Sequence, residues 1–170
     1  HALSIIPIRN PKHPATGRTA VQVKVDVYGV AAGTQLDFDR RLSALAADRY
    51  FDEDYESAGL LSAVAAEAIL NRFMRVHAIA MPPRATLMKK YNAILSWCRR
   101  QGRTDLSKAL HILRADFEEK LAKPRNAFGH GEPAWHVDPL RLALAAMRTN
   151  VRLAAELERT ISETTVAAAD

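Results

Sequence analysis

The chain is 170 residues long, 48% of its residues are apolar and 25% are charged, and its formal net charge is +5. This length and composition indicate one globular domain with a real hydrophobic core. No run approaches the ~18 apolar residues of a membrane-spanning helix, so we expect no membrane partner. The single cysteine, Cys98, excludes a disulfide framework within one chain and fits a reducing compartment, so we expect a cytoplasmic location.

The first forty residues are predicted to form a β-ribbon extension. Residues 21–28 alternate apolar and polar side chains and include several β-branched ones, as a half-buried strand does. Residues 3–8 are a weaker strand candidate, and the stretch 10–17, which contains Pro and Gly, could turn one strand back on the other. Two strands alone are marginally stable, so we expect residues 1–40 to be an accessory to the main domain, residues 41–170.

Beyond about Asp37 the pattern turns helical, and two apolar stripes at helical spacing come first. The first stripe is followed by Pro82 and Pro83, which are expected to end its helix. Its members are Leu61, Val64, Ala65, Ala68, Ile69, Phe73 and Val76. The second stripe stops near Gly102, and its members are Leu87, Tyr91, Ile94, Leu95 and Cys98. Each stripe predicts an amphipathic helix.

Two further stripes complete the helical part. Thr104 and Asp105 can cap a third helix, whose apolar members are Leu106, Ala109, Leu110, Leu113, Phe117 and Leu121. Asp138 followed by Pro139 is the signature of a helix start. The stripe after it consists of Leu140, Leu144, Met147, Val151, Ala154 and Ile161. Long amphipathic helices with short connections predict a mainly α fold, an antiparallel bundle of four to five helices.

Positive charge is concentrated in the middle of the chain. Between Arg84 and Arg125 there are eleven lysines and arginines against four acids, so the rest of the chain is slightly acidic. On charge alone, a solvated basic face is a simpler explanation of this excess than an anionic partner. A phosphate-rich ligand becomes the better interpretation if the same segment also holds chemistry.

The candidate chemistry lies in the stretch RNAFGHG, residues 125–131, between the third and fourth stripes. An imidazole such as that of His130 can accept or give a proton near neutral pH, and the guanidinium of Arg125 binds phosphate oxygens as a rigid fork. Together they suit attack by a ribose 2′-hydroxyl on the adjacent phosphate, a reaction that requires no metal. Asn126 could fix the geometry by hydrogen bonding, and the glycines beside His130 suggest a loop that lets a ligand approach closely.

This stretch resembles the Arg-x4-6-His signature of the HEPN family, in the form Arg-Asn-x-x-x-His followed by Gly. HEPN domains are helical bundles that carry the signature at the foot of a late core helix. The stretch AVAAEAILNRF, residues 63–73, is similar to an early HEPN helix, which often carries an acidic residue, here Glu67. The resemblance covers roughly residues 50–165 and leaves the N-terminal ribbon unexplained.

The resemblance implies a metal-independent endoribonuclease without a cofactor, of the kind found in toxin–antitoxin and antiviral defence systems. It implies catalytic roles for Arg125, Asn126 and His130, and a homodimer in which two signatures share one cleft. An antitoxin or a larger defence complex is the implied partner besides RNA. Some HEPN toxins carry a tyrosine two positions after the histidine, where a partner nucleotidyltransferase modifies it. Here that position is Glu132, so this chain lacks the tyrosine through which such toxins are inactivated.

Other polar residues are assigned around this motif. Phosphate attraction is expected from the neighbouring cations Lys123, Lys89, Lys90, Arg99 and Arg100. Glu67 and Glu132 are candidates for supporting the catalytic residues, although a carboxylate on a helix surface is the simpler interpretation of Glu67. Trp135 and His136 could stack a base or pack against the bundle end. His77, His111 and Cys98 are interpreted as packing or surface residues, and the scattered histidines give no metal-site pattern.

Two other functional interpretations stay open beside the ribonuclease. The first is a HEPN module that has no catalytic activity and binds a partner protein or a nucleic acid. The second is a helical interaction domain outside this family, because a fold alone does not assign a function.

Overall fold

The computed structural model describes residues 37–81, 84–130 and 138–167. The chain divides into two units, His1–Thr34 and Gln35–Asp170, and every described residue belongs to the second unit. Both predicted strands of the N-terminal ribbon fall outside the described residues, so the ribbon stays a prediction. The first helix begins at Phe38. The last residues of the segment 1–40 are therefore helical.

The described part of the chain is built from helices, which confirms the prediction of a mainly α bundle. The helices are α1 (Phe38–Phe51), α2 (Tyr55–Val76), α3 (Leu87–Arg100), α4 (Thr104–Phe117), α5 (Lys123–Gly129) and α6 (Pro139–Ala167). A π-helical turn, Glu118–Ala122, joins α4 to α5 without a break. None of the helices in the described ranges is long and apolar enough to cross a membrane.

The hydrophobic core lies where α2, α3, α4 and α6 meet. The first three predicted stripes supply most of its largest fully buried side chains, namely Phe73, Ile69, Tyr91, Leu87, Ile94, Phe117, Leu110, Leu113 and Leu121, while Leu70 and Leu153 were not in a predicted stripe. The rings of Tyr91 and Phe117 pack with centroids 4.3 Å apart, and the Tyr91 hydroxyl donates a hydrogen bond to the Leu110 carbonyl at 2.5 Å. Full burial of one such side chain contributes about 1.5–3 kcal/mol, so this layer holds the bundle together.

Helix α1 is held to the bundle by an ion cluster around Arg72 of α2, which we call the Arg72 cluster. The guanidinium contacts Asp37 at 2.7 Å and Asp39 at 3.2 Å, and it also pairs with Glu158 of α6. Arg40 adds a second contact to Glu158 at 3.3 Å. Burial raises the pKa of Asp39 although Arg72 opposes that shift. The cluster therefore joins α1, α2 and α6 through charges that are partly withdrawn from water.

Two predicted helix ends are wrong and one is confirmed. Helix α2 ends at Val76, and Ala78 then adopts a left-handed φ of 51°, so the helix stops before Pro82 and Pro83. Helix α4 is capped by Arg103 without a side-chain hydrogen bond, and Thr104 is already its first helical residue. The predicted cap at Asp138 is confirmed, because its Oδ1 accepts a hydrogen bond from the Arg141 N–H at 3.1 Å.

The predicted apolar stripe of α6 is also wrong in its first half. Leu140 and Val151 are 42% and 51% exposed, and Leu144 and Met147 are only half-buried. The face that packs into the bundle is instead Ala143, Ala146, Asn150, Leu153 and Leu157. Helix α2 also buries several alanines, and small side chains on two helices allow their backbones to approach closely. Spacing alone identifies two apolar rows on α6, and it does not say which row packs inward.

Candidate active site and nucleic-acid interface

The motif residues lie on a helix and its end, which corrects the expectation of a loop. The Lys123 N–H donates to the Glu118 carbonyl, five residues back, and this wide bond defines the π-helical turn. Pro124, which is buried, follows directly. Proline has no N–H and its ring clashes with the carbonyl four residues back, so the wider turn provides the space that lets the helix continue. Arg125 and Asn126 consequently lie on α5, and His130 is its C-terminal capping residue.

Arg125 is fixed by a carboxylate on α2. Its Nη2 lies 2.5 Å from Glu67 Oε2, while the other carboxylate oxygen lies 2.7 Å from the Nζ of Lys90 on α3. The side chains of Lys90 and Glu67 are only 13% and 20% exposed, and that of Arg125 is 36% exposed. We call these three residues the Glu67 cluster. Two cations share one carboxylate, so the cluster keeps a surplus positive charge beside the motif.

Asn126 and His130 are on the outer side of α5. Both are exposed, and they lie one helical turn apart. The backbone N–H of His130 donates to the carbonyls of Asn126 at 3.1 Å and Ala127 at 3.0 Å, which holds the imidazole-bearing residue at the helix end. Arg125 and His130 are five positions apart, which corresponds to about 140° around a helix axis. One chain thus presents these two side chains in different directions.

The five cations assigned to phosphate attraction have different surroundings. Lys90 belongs to the Glu67 cluster, and Lys123 pairs with Glu119 one turn away. Arg99 lies 3.0 Å from the ring Nε2 of His111. Lys89 and Arg100 are exposed, and neither has an ion-pair partner within the described ranges. These two are the cations most available to a phosphate.

Lys89 and Arg100 mark the ends of one polar face of α3. Asn92 and Ser96 lie between them at spacings of three and four residues, and both are exposed. The sequence of α3 contains no Asp or Glu. The face is about 16 Å long at 1.5 Å per residue, enough for several phosphates of an extended strand. Asn92 and Ser96 were not predicted as part of the site, although their spacing of i+3 and i+7 from Lys89, with Arg100 at i+11, indicates one helix face.

The remaining candidates lie elsewhere or outside the described residues. Glu132, Trp135 and His136 fall outside them. His77 packs between the rings of Phe73 and Trp97, at centroid distances of 4.3 Å and 4.4 Å, which confirms a packing role.

Cys98 is fully buried, as expected of a small core residue, and burial raises the pKa of its thiol to about 11. The described ranges contain no group of three or more His, Cys, Asp or Glu side chains that could hold a metal ion.

Comparisons of this chain with models of protein families, with curated proteins and with solved structures found no match. The likeness to HEPN domains therefore rests on the motif and its helical setting.

Proposed function

We propose that the chain is a HEPN-type, metal-independent endoribonuclease that acts on RNA in the cytoplasm as a toxin or antiviral defence effector. The observation that carries this proposal is the setting of the motif. Arg125 is anchored by Glu67 beside a second cation, while Asn126 and His130 of the same short helix are exposed to a ligand. An anchored cation and an accessible imidazole are the two kinds of group that phosphodiester cleavage needs.

In the proposed reaction the ribose 2′-oxygen attacks the adjacent phosphorus. His130 accepts the proton of the 2′-hydroxyl, and the 5′-oxygen leaves with a proton from a second imidazole. Arg125 and Lys90 stabilise the extra negative charge on the phosphorane-like transition state. The products are a 2′,3′-cyclic phosphate and a 5′-hydroxyl. Deoxyribose has no 2′-hydroxyl, so DNA is not a substrate.

A homodimer follows from this reaction. Each chain contributes one histidine in the motif, and acid–base cleavage is served by two proton-transfer groups. Because Arg125 and His130 diverge around α5, two copies of the motif facing one cleft would bring a histidine of each chain towards an arginine. Light scattering at micromolar concentration is expected to give twice the chain mass. A fully active monomer contradicts the composite site.

The decisive experiment measures cleavage of a single-stranded RNA in EDTA. The parent protein is expected to cut RNA and leave the matched DNA intact. His130→Ala is expected to lose about 10²–10⁴-fold in rate, and Arg125→Lys to be strongly impaired because lysine lacks the bidentate fork. The matched control is His111→Ala, another exposed histidine at a distance in sequence from the motif. All variants should melt like the parent.

A HEPN module without catalytic activity is the second candidate, and the ion pair of Arg125 favours it. A guanidinium that is already bound to Glu67 at 2.5 Å has fewer free N–H groups for a phosphate. Under this candidate the protein binds a partner protein or nucleic acid through the same surface. RNA binding without cleavage by the parent protein, together with equally tight binding by His130→Ala, would select it.

A further inference from the structure

The first four apolar residues of the predicted α6 row are exposed or half-buried, and their spacing is that of a contact between two helices. We call this row of four residues the α6 seam. Leu140, Leu144, Met147 and Val151 follow one another at intervals of four, three and four residues. This is the a/d repeat of a two-stranded coiled coil. Over about 16 Å, or three turns, the row could support an equal length of a partner helix. The bundle itself uses the neighbouring face of α6 and leaves this seam half-exposed.

Basic side chains border the seam. Arg141 and Arg148 each follow a seam residue and occupy the flanking positions that select partners in coiled coils. The surrounding depression is lined by four cations, Arg141, Arg148, Arg152 and Lys120, and by one carboxylate, Asp116. Arg141 pairs with Asp138 at 3.2 Å and Arg152 approaches Asp116 at 3.9 Å, whereas Arg148 has no ion pair within the described ranges. The border is strongly positive.

We infer that this α6 seam is a docking site for an acidic amphipathic helix of a partner protein. The partner would place leucine-like side chains against the seam and carboxylates opposite Arg141 and Arg148. Met147 suits such an interface because its flexible side chain adapts to different apolar shapes. This is the helix-in-groove mode of recognition. The inference does not depend on RNA cleavage.

Two other occupants fit the chemistry less well. A second copy of α6 would bring its own arginines, since residues 139–155 contain three arginines and no acid. In an antiparallel pair these flanking arginines would repel one another. RNA would satisfy the arginines but not the aliphatic row, because the described residues lining the depression include no aromatic ring for a base to stack on. An acidic helix satisfies both features.

The test uses the full chain and two labelled three-heptad peptides. Both peptides carry leucine at seam positions, and one has glutamate and the other lysine at the flanking positions. Fluorescence anisotropy is expected to show micromolar binding of the acidic peptide and binding of the basic peptide that is at least about tenfold weaker. Equal affinity for the two peptides, or no binding of the acidic one, overturns the inference.

Variants then locate the site and exclude the other occupants. Arg148→Glu and Val151→Gln change exposed side chains, and each is expected to weaken the acidic peptide roughly tenfold. Lys108→Glu, an exposed charge reversal on α4, is the matched control and should bind like the parent. If Val151→Gln instead abolishes self-association, a second copy covers the seam. If Arg148→Glu weakens RNA alone, the surface binds nucleic acid. Either result overturns the inference.

Discussion

Helix α2 carries two ion clusters that are built from the same kinds of groups. Carboxylates are in excess in one cluster and cations are in excess in the other. In the Arg72 cluster, three carboxylates surround one guanidinium, and Arg40 adds a second cation at one edge. In the Glu67 cluster, two cations share one carboxylate. The Arg72 cluster joins α1, α2 and α6. The Glu67 cluster joins α2, α3 and α5, and it includes a residue of the motif.

The sign of the excess charge indicates which cluster is suited to a structural role and which to binding a phosphate. A surplus of carboxylates repels a phosphate, so the Arg72 cluster is suited to holding helices together and not to binding RNA. A surplus of cations attracts a phosphate while the shared carboxylate keeps the side chains in place. The same helix can therefore contribute stability at one cluster and, under the proposed function, ligand binding at the other.

The largest effect is expected from Arg72→Met. The substitution leaves Asp37, Asp39 and Glu158 close together with only Arg40 to compensate them. Removing one partner of a buried ion pair costs 3–5 kcal/mol, and for this partly exposed cluster we expect about 2 kcal/mol. That corresponds to a fall in melting temperature of roughly 4–8 °C for a domain of this size. Thermal melting by circular dichroism measures it, and an unchanged melting temperature would contradict the structural role.

Glu67→Gln is expected to change function more than stability. Loss of the carboxylate frees Arg125 and raises the local charge, so RNA should bind more tightly while the poorly positioned guanidinium lowers kcat, by roughly tenfold. This joint fall of kcat and KM distinguishes a positioning residue from a structural one. Arg72→Gln, five positions along α2, is the matched control and should change neither constant at a temperature where it is folded. An unchanged kcat, or a fall in kcat accompanied by a rise in KM, would contradict the positioning role of Glu67.

Helices α3 and α4 were predictable because nearly all of each predicted apolar row is buried, whereas the row of α2 was correct only in part, since Val76 is 40% exposed. Phe73, Tyr91 and Phe117 follow from spacing alone. Helix α1 defeats the same reasoning, since it buries Asp39 and leaves Phe38 and Phe51 59% and 81% exposed. An ion cluster with residues far along the chain determines that orientation. Local spacing contains no information about such a partner.

The candidate site was predictable in its residues but not in its geometry. The motif identifies Arg125, Asn126 and His130, and the acidic residue of the early helix identifies Glu67. The segment directly before His130, expected to be part of a loop, is helix, because a π-helical turn before Pro124 compensates for the proline. The pairing of Glu67 with Lys90 as well as Arg125 depends on how α2, α3 and α5 pack together. Neither feature has a signal in a single sequence.

Replacing Lys89 and Arg100 with alanine is expected to affect RNA binding without affecting folding. Each phosphate contact on a single strand contributes about 0.7 to the slope of log affinity against log salt, so the double variant should lose about 1.4 of that slope. Arg49 and Arg75 are exposed cations of α1 and α2, and their double alanine variant is the matched control for net charge. Equal slopes for the two variants would mean that the α3 face attracts RNA no more than any other positive surface.

The smallest effect is expected from His77, which lies just beyond the C-terminal end of α2 and outside both clusters. Burial lowers the pKa of His77, and nearby Arg103 adds to the shift, while the buried Nε2 has no hydrogen-bond partner among the described residues. Folding thus favours the neutral ring. Burial of the neutral His77 ring stabilises the fold fully above ~6.5, the pKa of histidine in the unfolded chain. This stabilisation is lost as the pH falls towards the lower pKa that His77 has in the folded protein. Melting temperatures measured from about pH 7.5 to about pH 5 should therefore fall more steeply for the parent than for His77→Gln, which cannot be protonated. Parallel curves would show that the ring between Phe73 and Trp97 accepts a proton without cost.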